Sequence, residues 1–372
     1  MIFLALAEMR RAKARFGLVI SAIAMLVFLI LFQQSLQSGL LTSFVGAIRN
    51  QSAPVLVYAV DGQRVLQGSV ITPDLEAEVR RDPTVGEVGR IGQGTFTVRA
   101  ADERFDASII GFDDPALGAP SSLLSGRLPG AGEAVASEAD ADSGFDIGDV
   151  VIVEPGGFTL AIVGLARDVQ LNAGPTLFTP YESYVDAVRS VNPDAGALLP
   201  NVLAASPAPG FGDDDLVASL NDISLDLDAL ARDTAADETP GVAQVQQSFR
   251  VIFLLYGLVV PCVTGLFFLI ITFQKRRALT LLHAAGASSA RLVGSLLIQA
   301  LAVVAVGFAL GVALYAPVST QRLGGIPLRF ETQAVFVWAV VLLVLGFLSS
   351  LVSARRVLAI EPVDAATGGS GR

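Results

Sequence analysis

The sequence is short of the residues that most soluble enzymes rely on. Its 372 residues include one cysteine (Cys262), one histidine (His283) and two lysines (Lys13 and Lys275). A single cysteine rules out a disulfide within the chain, so any exported part must hold together by core packing. Neither lysine lies in a glycine-rich turn and no G-x-x-x-x-G-K-[ST] run occurs, which excludes a P-loop and ATP hydrolysis by that route. Charge is scarce as well, at 16% of residues against 52% apolar. The apolar residues fall into long uncharged runs that leave one polar block between them.

A bilayer core of about 30 Å takes about 20 apolar helical residues to cross. Four runs without charge meet that length, at 16–32, 251–273, 292–316 and 334–352. The first runs eight residues past Ala24 and reads as an uncleaved span rather than a signal peptide. Basic residues decide the orientation. Arg10, Arg11, Lys13 and Arg15 precede the first span. Lys275, Arg276, Arg277 and Arg291 separate the second and third, and Arg355, Arg356 and Arg372 follow the fourth. Even numbers of crossings separate these clusters, which places segments 1–15, 274–291 and 353–372 together on the cytoplasmic side of a bacterial inner membrane. The short loop 317–333 and the large block 33–250 then lie outside. His283 falls on the inner side, so an outer histidine triad or histidine-ligated zinc site is excluded.

The outer block carries 12 arginines, no lysine and 31 acids. That balance suits a solubilising surface and gives no footing for nucleic acid. Cation capture is the alternative, although Asp213–Asp215 and Asp222, Asp226 and Asp228 lack the pattern of an EF-hand loop. Helical spacing continues beyond the first span through Leu36, Leu40, Leu41, Phe44, Val45 and Ile48, and resumes before the second at Val242, Val245 and Phe249. Between these stalk helices the chain reads as α+β. Strands are expected at 55–60, 95–99, 107–110, 150–153 and 159–163, where β-branched residues concentrate. Helices are expected from Pro73 to Arg80, capped by Thr72, and over 181–190. Residues 213–237 read as helix and loop, and 115–132 and 193–212 as mobile connections. The expected fold is a membrane protein of four transmembrane α-helices, with one α+β extracytoplasmic domain on a helical stalk inserted between helices 1 and 2.

Three stretches carry a family resemblance. The inner loop Arg276-Arg277-Ala278-Leu279-Thr280-Leu281-Leu282-His283-Ala284-Ala285-Gly286-Ala287-Ser288 is one, and the tail from Ala354 through Ile360-Glu361-Pro362-Val363-Asp364-Ala365 is another. The third is the outer set Gly126-Arg127-Leu128-Pro129, Gly132-Glu133-Ala134-Val135-Ala136-Ser137 and Gly148-Asp149-Val150-Val151. In order and topology they resemble the FtsX/MacB-type ABC permeases. Ala278 departs from the acid usual in that loop, and Glu361 and Asp364 exchange acid identities. The resemblance implies two permease copies working with two copies of a separate ABC ATPase, which holds ATP and magnesium. No metal or cofactor is expected on this chain, nor any catalytic residue.

Within the inner loop Leu279, Leu282 and Ala285 make a short apolar face, and Gly286 suits a helix end. That face fits a groove on the ATPase, while a plain positive-inside connector is the other reading. Gly307 and Gly311 form a small-xxx-small pair that allows close helix approach, within the chain or between two copies. Pro261 is expected to bend the second span. The spans hold no acid or base for a proton relay. For cargo, the resemblance extends most to the haem-efflux permeases, through the short inner N-terminal segment, the single outer domain and the sequence from Phe267 to Lys275. Met25 and Tyr256 are then candidate haem contacts, with Arg250 for a propionate. Each also reads as an ordinary packing, lipid-facing or interfacial residue. A mechanical role toward a cell-wall hydrolase or sensor, and lipid or lipoprotein release, are the alternatives.

Overall fold

Every long apolar run forms a helix. The computed structural model describes residues 13–274, 289–323 and 326–358. The chain divides into a helical unit and a sheet unit, with boundaries at Gln37/Ser38 and Gln247/Ser248. Both boundaries fall inside long helices, α1 (Lys13–Arg49) and α7 (Val242–Gln274).

The helical unit comprises α1 to Gln37, α7 from Ser248, α8 (Ser289–Tyr315) and α9 (Thr332–Leu358). Between α8 and α9 a two-stranded hairpin pairs Arg322–Leu323 with Ile326–Pro327. On α1, Phe16, Val19, Ile23, Val27 and Ile30 recur every three or four residues and are buried against Val260, Val303, Val304, Tyr315 and Leu342. Leu18, Met25 and Leu29 lie on the exposed side of the same helix. Beyond the apolar seam, Ser35 Oγ accepts from Arg329 N–H at 2.8 Å and Tyr315 Oη donates to Arg329 O at 3.0 Å.

The sheet unit has two halves threaded on one long strand. The elements of the first half are β1 (Val55–Ala59), α2 (Pro73–Arg81), β2 (Val85–Ala100), β9 (Val202–Pro207), α5 (Asp213–Ile223) and β10 (Leu227–Ala231). Their spatial order, β10-β1-β9-β2 with every neighbour antiparallel, is that of a ferredoxin-like split βαβ fold. Val55, Val57 and Ala59 face the helices through Ile71, Val79, Leu216 and Leu220. Alternate residues Leu56 and Tyr58 face the opposite layer, with Val45, Ala47 and Ile48 of α1. Thr72 caps α2, its side chain accepting from Leu75 N–H, and Pro73 occupies the first turn. The acidic run Asp213–Asp215 is the first turn of α5, where the helix dipole favours negative charge, and Asp215 Oδ2 accepts from Gly212 N–H at 2.9 Å.

The second half is inserted in the hairpin between β2 and β9. It contains β3 (Glu103–Phe112), α3 (Pro115–Gly118), β4 (Leu123–Gly126), β5 (Glu133–Ser137), β6 (Val150–Val153), β7 (Phe158–Ala166), β8 (Thr176–Pro180) and α4 (Tyr181–Val191). The pairings β2-β3-β8-β5-β7-β6-β2 close a six-membered ring, a small barrel around Val98, Ile109, Val151, Leu160, Ile162 and Leu177. Strand β4 continues the edge of β7 next to β6. A last helix, α6 (Arg232–Asp237), follows β10.

The sheet is more extensive than its sequence announces. Residues 193–212, read as a connection, contain β9 in the middle of the sheet, and 213–237 contain β10 between two helices. Both strands are alanine-rich and buried, so packing partners rather than β-propensity fix their conformation. Residues 115–132 likewise form α3 and β4.

Candidate functional site

The residues singled out in the helical unit fall into distinct environments. Gly307 and Gly311 of α8 lie against α1. A Cβ on Gly307 would stand 2.7 Å from Ile23 Cγ2, and one on Gly311 2.6 Å from Val27 Cβ and 2.7 Å from Ala24 O. The small-xxx-small pair therefore forms a contact within the chain, where backbone approaches backbone. Pro261 sits inside α7, and its carbonyl accepts from Ser349 Oγ of α9 at 2.8 Å. Phe253 and Trp338 add a ring contact between α7 and α9, centroids 5.6 Å apart.

Tyr256 is half-buried against the cluster that holds Ile23 and Val27. Met25 is 55% exposed on the other side of α1, and Arg250 is exposed at the first turn of α7 inside the helical unit. Met25 and Tyr256 thus do not share one buried face. Leu279, Leu282, Ala285 and Gly286 lie outside the described residues.

In the sheet unit the outer motifs act on the fold itself. Arg127 and Gly130 N–H both reach Glu133, Arg127 Nη1 at 2.6 Å and Gly130 N at 2.8 Å. The Arg127 guanidinium holds the Glu133 carboxyl below its ordinary range. Gly148, with φ +99°, turns the chain into β6, and its N–H donates to Ile162 O at 2.9 Å. Glu76 of α2 is buried and meets Arg90 Nε at 3.0 Å and Arg80 Nη2 at 2.9 Å. Burial works against its charge, but the two guanidiniums outweigh it and lower its pKa. Burial raises Asp113, although Arg90 N–H donates to it. Tyr58 is fully buried beside Asp228 and Arg64, and burial drives its phenol far up.

The residues that sequence reasoning passed over sit where α1 ends. The connection between β7 and β8, residues 168–174, lies across its last turns. Ala47 N–H donates to Gln170 O at 3.0 Å, Asn172 N–H to Phe44 O at 3.0 Å and Ala173 N–H to Ser43 O at 2.8 Å. Asn50 Nδ2 adds a bond to Asp168 O at 2.7 Å. A helical N–H has one proton, so the Ala47 bond is taken from, or shared with, the helix's own ladder. Asp168, Asn172 and Ala173 have φ of 62°, 54° and 57°, a region costly for a residue with a Cβ. Val169, Gln170 and Leu171 are buried. Gly46 permits the approach, since a Cβ there would stand 2.3 Å from Asp168 O. Arg49 pairs with Asp237, and Arg64 bridges Asp228 (2.6 Å) and Glu238, next to the start of α7. The sequence signals were a glycine in an otherwise regular helical run and the turn-forming Asn172-Ala173-Gly174.

Among the described residues, no group of three or more His, Cys, Asp or Glu could hold a metal ion. Four helices among the described residues are long and apolar enough to cross a membrane. Residues 250–362 match the family described as FtsX-like permease C-terminal. Among solved structures, the periplasmic region of MacB from Actinobacillus actinomycetemcomitans is similar at 14% identity. That match covers 50% of this chain and 92% of that one, with a TM-score of 0.37. The extracellular domain of the noncanonic ABC-type transporter YknZ from Gram-positive bacteria is similar at 12% identity, over 47% of this chain and 98% of that one, with a TM-score of 0.34. Among the described residues, four apolar helices thus reach membrane-spanning length, and the last three lie mostly within the stretch that is similar to the FtsX-like permease C-terminal family.

Proposed function

We propose that the chain is the permease subunit of an ATP-driven ABC transporter, and that hydrolysis on a separate ATPase moves its extracytoplasmic sheet unit through α1 and α7. The observation that carries this is helix length, beside the permease match over residues 250–362. At 37 and 33 residues, α1 and α7 are about 55 and 50 Å long against a hydrocarbon core of about 30 Å. Each remains one helix across the unit boundary, α7 with Pro261 inside it, so a movement at the inner end has a path outward.

In this reading both termini are cytoplasmic, the membrane is the bacterial inner membrane and the working assembly holds two permeases and two ATPase subunits. Leu279, Leu282 and Ala285, with Gly286 ending the turn, dock on the ATPase. The test is co-isolation of tagged chain from native membranes. A stoichiometric ATPase is expected, and Leu282→Asp should leave ATP hydrolysis in place while abolishing ATP-driven transport. Absence of any co-isolating ATPase, or ATP turnover by the purified chain alone, would refute the proposal.

The proposed cargo is an apolar molecule entering from the bilayer, with haem the specific candidate; Met25 and Tyr256 lie on different faces and would contact it singly, with Arg250 available to a propionate. Hemin added to the purified chain should then shift the Soret band, and the shift should shrink in Met25→Ala and Tyr256→Phe. A second reading is favoured by the anchoring of α1 in the sheet unit. The same motion would then work a cell-wall hydrolase or sensor without anything crossing. Co-purification of such a protein together with no Soret shift selects it.

A further inference from the structure

We propose that residues 168–174 are a strap through which α1 drives the barrel half of the sheet unit, with Gly46 and Asn50 as the positioning residues that seat it. The inference rests on the transporter reading above and names the joint that reading leaves open. Two routes lead from α1 into the sheet unit, and they differ in kind. Val45, Ala47 and Ile48 touch the ferredoxin-like half through apolar side chains in a shared layer with Leu56 and Tyr58. Such a layer, which also takes in Val169 and Leu171 of the strap, resists separation without direction, and the Arg49–Asp237 pair is a single side-chain bond beside it. The strap is instead joined to α1 by three backbone hydrogen bonds and the Asn50 bond, spread over residues 43–50 and 168–173. Directional bonds acting side by side transmit both push and pull.

The strap is also continuous with the barrel on both sides. Residue 168 follows the end of β7 by two positions, and 174 precedes β8 by two. These strands flank β5 on its two sides in the closed ring, so a displaced strap shifts both neighbours of β5 together. Its own shape is fixed by Leu171 N–H donating to Thr176 Oγ1 at 2.8 Å and by Gly174 N–H donating to Leu171 O at 3.2 Å. Gln170 Nε2 reaches Asp140 Oδ1 at 2.8 Å, tying the strap to the turn after β5 as well. Three non-glycine residues held at positive φ persist only where surrounding bonds over-determine them, and here those bonds run to α1.

Helix propensity and the strap make opposite forecasts for α1. Glycine-to-alanine favours a helix by about 1 kcal/mol at an open position. Gly17 meets nothing within 4 Å of a built Cβ, whereas Gly46 meets Asp168 O. Hydrogen–deuterium exchange on the full chain with its co-isolated ATPase in lipid nanodiscs, with and without MgATP and orthovanadate, separates the cases. In the wild type and in Gly17→Ala, trapping should alter exchange in β7, β8 and the strap. In Gly46→Ala and Asn50→Ala, strap amides should exchange about tenfold faster at rest. Trapping should then still alter the membrane helices but no longer β7 and β8. If β7 and β8 respond in both variants as in the wild type, the strap is not the joint and the transporter reading survives. If the wild-type sheet unit does not respond to trapping at all, both fall. If α2 and α5 lose protection at rest along with the strap in both variants, these residues serve folding and the proposal is overturned.

Discussion

The helical unit and the sheet unit solve the problem of holding a shape by different means. In the first, contact is set by outline: Gly307 and Gly311 offer no side chain, and Ile23 and Val27 fill the space. Lipid tails are as apolar as the side chains, so burial gives little drive and close packing decides. In the sheet unit water supplies the drive, and charged pairs such as Glu76 with Arg90 and Arg80 sit over a buried layer. Small residues therefore set the α1–α8 contact of the helical unit, and large apolar ones fill the layers of the sheet unit.

Four substitutions break or sharpen that contrast. Leu56→Ala, in a layer where Leu56 is 1% exposed, should cost about 2–5 kcal/mol. Thermal unfolding of the full chain should show the sheet unit melting early, with exchange in α8 and α9 unaltered. Gly311→Val should cost about 1–3 kcal/mol by overpacking against Val27. Its mark is faster exchange in α1 and α8 within the helical unit, and a variant as stable as the wild type would contradict the contact. Glu76→Ala removes charged hydrogen bonds to two half-exposed arginines, for about 1.5–3 kcal/mol. Thr72→Ala should cost about 0.5–1 kcal/mol, at the low end for a cap because its bond is 3.4 Å long. Exchange confined to the first turn of α2 would register it.

The Glu76 pair also gives a pH signature. Its carboxyl is lowered in the fold, so its contribution is present above the unfolded value near 4.5 and is lost as pH falls through the lower folded value. Glu133 acts in the same sense, while Asp113, raised by burial, acts in the opposite one. The sheet unit should therefore lose stability below about pH 4.5, and Glu76→Gln should flatten that loss. An unchanged acid profile in Glu76→Gln would show that other carboxylates dominate.

How much was legible follows the same divide. The spans could be read because a bilayer imposes length and apolarity on consecutive residues. Pro73–Arg81 and Tyr181–Val191 were readable from Thr72, Pro73 and helical spacing, and β6 from its run of valine and isoleucine. Strands β5, β9 and β10 were not, because Ala134, Ala136, Ala204, Ala205 and Ala229 owe their conformation to neighbours distant in sequence. The spacing of Gly307 and Gly311 announced a close contact, but only coordinates supply its partner. The strap was hidden for a related reason, since backbone bonds leave little trace in side-chain identity.

The long strand β2 has an architectural consequence. Ile91 lies opposite Val202 of β9, so the chain departs for the barrel and returns from it at neighbouring positions. The barrel is therefore a graft on a hairpin, and a tight turn replacing residues 93–200 would leave all four strands of the parent sheet with their mutual pairing. Lengthening, trimming or exchanging that insert alters the barrel without redesigning the four-stranded sheet that carries it.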